Sequence, residues 1–471
     1  MKSLLSIVLL IFAFSMAKVA LGNSVRIEGH EPDYAGFNIV FQNYTDPVSK
    51  NTDTTFMLKI GPQGRILTET NLQKPIFCFA DFDIYRLKLV IVPGDSLRIK
   101  LPPRKPKSFE ESKNPFFKPI ELWLYSQSEN TSHLNSLIGK YDQKFYSLND
   151  RYFNQLYYGR QAAYLDSVRL PLEKEFGNEK DKVFIAHKQL MLKSIESGII
   201  REGREKLMIE FESLNPSLWF LPSFSELLER LFYQTMTTES NRPQGNLLKS
   251  WVAGKKINEL RDWTVKFTGI QGQLADLILL KLMHDAFYSG QFQQKAILDM
   301  FRNELFTNHK TEEIKRSAKE ITKKLEFLLP GTKAPEICLP LISSGTYCSN
   351  GSEKPMQYIL FADLEIPVCQ EQVKYLKTLY EKIGTRADIF LVLKPSLRIN
   401  QLEFITKHGI PGKVVIDTPN TTFGNKYKVR AYPTAFLIDS NHKVIYAPAK
   451  NPLDGFEFQL ENIKRVNLQV K

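Results

Sequence analysis

Near its C-terminus the chain reads Phe361-Ala362-Asp363-Leu364-Glu365-Ile366-Pro367-Val368-Cys369, and further on Tyr427-Lys428-Val429-Arg430-Ala431-Tyr432-Pro433-Thr434-Ala435-Phe436-Leu437-Ile438-Asp439. The first stretch closes an apolar run, Gln357 to Leu364, that reads as a buried strand. Val373, Leu376, Tyr380 and Ile383 follow at helical spacing and give the apolar face of a helix that Cys369 begins. Working outward, Asp388 to Leu393 and Lys413 to Asp417 read as strands, with Leu397 to His408 as the helix between them. Phe436-Leu437-Ile438 and Val444-Ile445-Tyr446 are further strands, and Glu457 to Ile463 is a closing helix. Strands alternating with helices imply a sheet with parallel pairs.

Together the two quoted segments resemble the active-site elements of thioredoxin-like domains, specifically the secreted TlpA/ResA-like branch of the AhpC/TSA–thioredoxin superfamily. The first resembles the strand–turn–helix that carries Cys-x-x-Cys. The second resembles the family's Tyr-x-Val…Pro-Thr-x-Phe-Leu-Ile-Asp stretch, which implies that Pro433 is cis. Gly331 and Ala334-Pro335 match the opening of such a domain, and a hairpin around Gly345 comes next. One element departs from the pattern. Ile366 stands where the family has its first cysteine, and Glu365 stands where it has tryptophan. The motif positions are therefore Ile366, Pro367, Val368 and Cys369, with Pro433 opposite them.

That departure bears on chemistry. The first cysteine of a dithiol motif sits exposed at a helix N-terminus, where the dipole stabilises its thiolate. It attacks a disulfide, and the second cysteine resolves the mixed disulfide. Cys369 holds the second position, and Ile366 cannot ionise, so one chain cannot complete the cycle. Ile366-Pro367-Val368-Cys369 also resembles the Thr-Pro-Val-Cys turn of peroxiredoxins. That pattern needs a proline seven residues before the cysteine and a threonine three before it; here those positions hold Ala362 and Ile366. Thiolate activation needs an electropositive or donor-rich setting, so Cys369 is expected to be packed or vestigial. Asp363 and Glu365 read as solvated loop residues, with Glu365 opposing a thiolate nearby.

The N-terminus reads as a secretory signal peptide over residues 1–22. Lys2 precedes an apolar run from Leu4 to Met16, and Ala20-Leu21-Gly22 supplies small residues for cleavage. The run is shorter than the ~20 residues a membrane span needs. Export is expected, with a periplasmic location. The whole chain has 471 residues and formal charge +12; removing Lys2 and Lys18 with the leader leaves +10. Its densest basic run, Lys100 to Lys107, is broken by Pro102, Pro103 and Pro106, which reads as a solvated linker rather than a nucleic-acid patch.

The fold class expected is multi-domain. Residues 23–101 form a β-rich, sandwich-like domain, 102–114 a proline-rich basic linker, 115–330 a helical region, and 331–471 the thioredoxin-like α/β domain. Short β-branched and aromatic runs (Phe37–Phe41, Thr55–Ile60, Ile76–Phe79, Leu87–Ile91) alternate with turn signals at Gly61-Pro62-Gln63-Gly64 and Pro93-Gly94-Asp95-Ser96. This portion resembles the β-domain that precedes thioredoxin-like domains in Bacteroidota envelope proteins. Leu134, Leu137, Ile138, Tyr141, Phe145 and Leu148 form an amphipathic stripe. Ser223-Phe224-Ser225-Glu226 has capping-box spacing, and Ile314 to Leu329 is the last helix of the region.

Four cysteines are present. Cys78 lies inside an apolar strand and reads as a small buried hydrophobe. Cys338 and Cys348 flank Ser343-Ser344-Gly345 and can meet as a disulfide across a hairpin, or stand as two separate thiols. The seven histidines are scattered without ligand spacing. No nucleophile elbow, phosphate loop or dinucleotide fingerprint is found, so neither a cofactor nor a metal is expected. The expected function is a non-catalytic binding or assembly module of the cell envelope, with a protein or peptide partner and no nucleic acid. Its alternatives are a thiol–disulfide oxidoreductase of reduced scope acting through Cys369 and a one-cysteine peroxidase.

Overall fold

Alternation of apolar and polar residues shapes the N-terminal part of the protein. A computed structural model describes residues 23–124, 131–200, 202–349, 354–418 and 423–469. The leader expected at residues 1–22 lies outside them. The chain divides into two compact units: residues 1–108 with 118–325, and residues 109–117 with 326–471.

In the first unit eight strands form two sheets. They are β1 (Ser24–His30), β2 (Asn38–Tyr44), β3 (Thr52–Lys59), β4 (Arg65–Asn71), β5 (Ile76–Phe82), β6 (Tyr85–Ile91), β7 (Ser96–Arg98) and β8 (Ile120–Trp123). One sheet has the order β4-β1-β7 and the other β3-β2-β5-β6-β8. Their inward residues, among them Val25, Ile27, Phe41, Leu58, Leu89 and Leu97, make one core, as expected for stacked sheets. Gly64 closes the turn before β4 at φ +81, where a Cβ would sit 2.5 Å from Pro32 N, so only glycine fits. Cys78 is fully buried in this core, and burial pushes its thiol up.

The helical part of the same unit packs directly on the second sheet. Leu134, Leu137, Ile138, Tyr141, Phe145 and Leu148 are all buried along the helix Thr131–Arg151. From this helix the Asn135 amide accepts from Val90 N at 2.7 Å and donates to Val90 O at 2.8 Å. It thereby satisfies backbone groups of β6 beyond the reach of β8. Two features differ from the sequence reading. Ile120–Trp123 is a strand pairing parallel with β6, although helix was expected from residue 115; four residues are too few for periodicity to separate helix from strand. Ser223 does not cap its helix, which begins at Pro222 without a side-chain cap. Its hydroxyl lies instead 3.1 Å from Nδ1 of His187.

The second unit is built on a five-stranded sheet. Its strands are β9 (Cys338–Pro340), β10 (Thr346–Cys348), β11 (Met356–Ala362), β12 (Ala387–Leu393), β13 (Lys413–Ile416), β14 (Thr434–Asp439) and β15 (Val444–Ala449). The sheet order is β13-β12-β11-β14-β15, while β9 and β10 pair as a separate hairpin. β11 runs parallel to β12 and antiparallel to β14. Side chains alternate along β11. Tyr358, Leu360 and Ala362 join the core under the helices Pro367–Lys374, Leu376–Ile383 and Phe456–Gln469. Ile359 and Phe361 join the opposite core, with Phe423, Tyr427 and Phe436. Burial on both faces explains why β11 and β12 read as unbroken apolar runs. An α/β domain follows a β-rich and helical part, so the fold is multi-domain with the expected class in each region.

Candidate functional site

The motif turn starts where β11 stops. Asp363 leaves the sheet and turns the chain, because its Oδ1 accepts from Glu365 N at 3.0 Å and its carbonyl from Ile366 N at 3.0 Å. Ile366 is then the N-cap residue of the helix Pro367–Lys374, with extended backbone (φ −100, ψ 118). It offers no side-chain cap, and its side chain packs against the domain core. Pro367 takes the first helical position, where a missing N–H costs nothing. Cys369 stands one turn in, its N–H donating to Ile366 O at 2.9 Å, and it is fully buried. Val368 points outward and is exposed.

The second quoted segment meets the first across the sheet. The Tyr432–Pro433 peptide bond is cis, and Pro433 leads into β14, whose Thr434 pairs with Phe361 at the end of β11. Tyr432 sits beside the turn. Burial, then the carboxylates of Asp417 and Asp363 and the Cys369 thiol, push its phenol up to about 12. Cys338 and Cys348 lie directly opposite each other in the β9–β10 hairpin and are joined by a disulfide. The free thiols are Cys78 and Cys369.

Asp363 and Glu365 are not solvated loop residues. The Asp363 side chain is about 1% exposed and that of Glu365 about 10%. Lys113 covers both, its Nζ lying 2.7 Å from Asp363 Oδ2 and 2.8 Å from Glu365 Oε2. Within residues 102–114, read as a proline-rich basic linker, lies a short helix, Phe109–Lys113, that belongs to this unit. Ser396 Oγ donates to Glu365 Oε1 at 2.7 Å, and Lys394 Nζ stands 3.5 Å from Asp363. The guanidinium of Arg398 lies 3.7 Å from the centre of the Phe109 ring, close enough for a cation–π contact.

These contacts set the charges. Hydrogen bonds from Lys113 and Ser396 draw the Glu365 carboxyl down from 4.5 to about 2. Burial works against the charge on Lys113, and the two carboxylates more than offset it, so its ammonium is held above the usual range. Burial pushes the Cys369 thiol from 9.0 up to about 11; the Asp363 carboxylate adds to the rise, against a backbone hydrogen bond and Lys113. The opposing carboxylate is thus Asp363 rather than Glu365. Cys369 is a protonated thiol at neutral pH. Lys113 and Phe109 escaped the sequence reading because nothing in the motif announces a contact with a segment 250 residues away, and Ser396 and Arg398 because they lie in a loop without a motif of its own.

A second polar cluster lies in the first unit. His187 Nε2 is 2.7 Å from Asp142 Oδ1, its Nδ1 faces Ser223 Oγ, and Trp123 Nε1 donates to Asp142 Oδ2 at 2.8 Å. Asp142, His187 and Ser223 are all buried, Ser223 to 3% exposure. The cluster is a structural link between β8 and three helices. Among the described residues no group of His, Cys, Asp and Glu could hold a metal ion, and no helix is long and apolar enough to cross a membrane.

The turn, the cis-proline strand and the sheet order define a thioredoxin-like α/β domain. Residues 330–459 match the Redoxin family model. Solved structures similar to this part of the chain include the thioredoxin domain of a thiol-disulfide oxidoreductase from Bacteroides vulgatus, at 16% identity over 28% of this chain and 96% of that one, TM-score 0.25. A thiol:disulfide interchange protein from a Bacteroides species matches at 15% identity over 28% and 89%, TM-score 0.26. A thioredoxin-family thiol:disulfide interchange protein from Chlorobium tepidum matches at 16% over 27% and 94%, TM-score 0.24. No curated protein matches the chain.

Proposed function

We propose that this is an exported, non-catalytic thioredoxin-like protein whose redoxin domain serves as a binding or assembly module of the cell envelope. One observation carries the reading. The motif holds a single thiol, buried and held near pKa about 11, while its partner position is a packed isoleucine. Neither half of a disulfide-exchange cycle is provided for, since attack needs an exposed thiolate and release needs a second thiol in reach. A peroxidatic role meets the same obstacle, because no hydroxyl stands at position 366 to hold a thiolate. The leader at residues 1–22 and the Cys338–Cys348 disulfide support an oxidising, exported setting.

The test is a disulfide-exchange and peroxide-reduction assay on the full chain and on Cys369→Ser. Equal background rates in both support the reading. Turnover in the wild type that disappears in the variant would establish the oxidoreductase or peroxidase reading instead. N-terminal sequencing of envelope material should find Asn23, or a residue close to it, at the start of the chain.

A further inference from the structure

We propose that Asp363, Glu365 and Arg398 form a recognition site for a short helical segment bearing an aromatic ring and a lysine one turn apart. Phe109–Lys113 is its occupant in this structure, and a partner protein engages the site by presenting a segment of the same chemistry. The proposal rests on the reading of the redoxin domain as a binding module.

The chemistry of the site is specific. Lys113 spans two carboxylates that come from one turn of chain, and Ser396 fixes the second oxygen of Glu365. Phe109 and Lys113 are four residues apart and so share one helix face. The ring of Phe109 lies under Arg398 while the ammonium of Lys113 reaches the acids. An aromatic face for the guanidinium and a cation for the carboxylates are thus both required of an occupant.

The occupant is also built to exchange. An isolated helix shorter than ~12 residues is marginal in water, so a five-residue helix is ordered by what it docks on. None of its residues is fully buried, and its grip is mainly electrostatic. Tethering adds to that grip, since a covalent connection supplies an effective concentration on the order of millimolar. In chain order the segment sits between β7 and β8, behind the exposed run Pro103 to Ser108. A separate segment with matched contacts needs only to outcompete that local concentration.

The experiment uses a labelled peptide of residues 108–117, Ser-Phe-Glu-Glu-Ser-Lys-Asn-Pro-Phe-Phe, and the full chain. Fluorescence anisotropy is measured with wild type and with the Phe109→Ala/Lys113→Ala chain, whose own occupant is disabled. The peptide is expected to bind the double variant at least tenfold more tightly than wild type. A peptide carrying Lys113→Glu should lose at least tenfold in affinity for the double variant. If the double variant does not fold, Phe109→Ala/Lys113→Gln, which keeps a hydrogen-bond donor near Asp363 without the competing charge, replaces it. No binding to the vacated chain at millimolar peptide, equal binding to both chains, or indifference to the charge reversal would overturn the proposal. Any of these leaves the disulfide-exchange result untouched, so failure here is distinct from failure of the functional reading.

Discussion

The ammonium of Lys113 lies 2.7 Å from the carboxylate of Asp363, a residue with essentially no exposed surface. Lys394, at 3.5 Å and more exposed, is the other cation near that carboxylate. Removing Lys113 leaves the buried acid with the Glu365 N–H on Oδ1 and a longer, looser cation on Oδ2. Lys113→Ala should therefore destabilise the second unit by about 1–3 kcal/mol, the usual cost of stranding a buried hydrogen-bonding group. Lys113→Arg should recover most of it. Thermal unfolding followed by calorimetry measures this, provided the transitions of the two units are resolved.

Acid should undo part of the same contact. The Glu365 carboxyl titrates near 2 in the folded protein against 4.5 ordinarily, so folding is favoured by its ionisation. That stability is fully present above about pH 4.5 and is lost as pH falls through 2. Glu365→Gln should flatten this limb of the stability–pH profile while leaving the profile above pH 5 nearly parallel to wild type. Urea unfolding across pH 2–6 distinguishes the two curves.

The fold was legible because β11, β12 and β14 are buried on both faces and show it as apolar runs, and because Asp363–Cys369 and Tyr432–Asp439 carry recognisable turn chemistry. The isoleucine at position 366 was equally plain. The environment of the acids was not. Periodicity and turn signals are local, while the partner of Asp363 arrives from 250 residues upstream in a helix of five residues. Pro102, Pro103 and Pro106 dominate the composition there and mask the Phe109–Lys113 turn. Histidine spacing failed in the same way, since Asp142, His187 and Ser223 meet only through the packing of three helices.

Thiol chemistry should follow burial. Denatured protein should titrate two thiols without reductant, Cys78 and Cys369, and four after reduction of the Cys338–Cys348 bridge. In the folded protein, a pKa of about 11 in place of 9.0 lowers the thiolate fraction of Cys369 at pH 8 by about 100-fold. Alkylation by iodoacetamide should be slower than that of a free thiol by at least about tenfold, because the greater nucleophilicity of a high-pKa thiolate offsets part of this factor while access is restricted as well. A rate like that of a model thiol would mean that the turn opens readily.

Placing a cysteine at position 366 tests the reading of the motif most directly. Ile366 is the N-cap and Cys369 lies one turn later, joined to it by a 2.9 Å backbone hydrogen bond. Residues three apart across a helical turn are neighbours, ~5–6 Å between Cβ atoms, close enough for small adjustments to close a disulfide. Ile366→Cys should therefore form an intramolecular bridge to Cys369 under mild oxidation, detected by peptide mapping. The new thiol, half-exposed at a helix N-terminus, should be the more acidic of the pair. Exchange activity gained this way should remain low while Phe109–Lys113 covers the turn, and should rise when Phe109→Ala is added. If residues 366 and 369 both stay free in a folded, oxidised protein, the correspondence between this turn and a dithiol motif is wrong. A bridge that forms without any activity, even after the segment is loosened, would place the remaining barrier at Asp363, whose carboxylate opposes the thiolate.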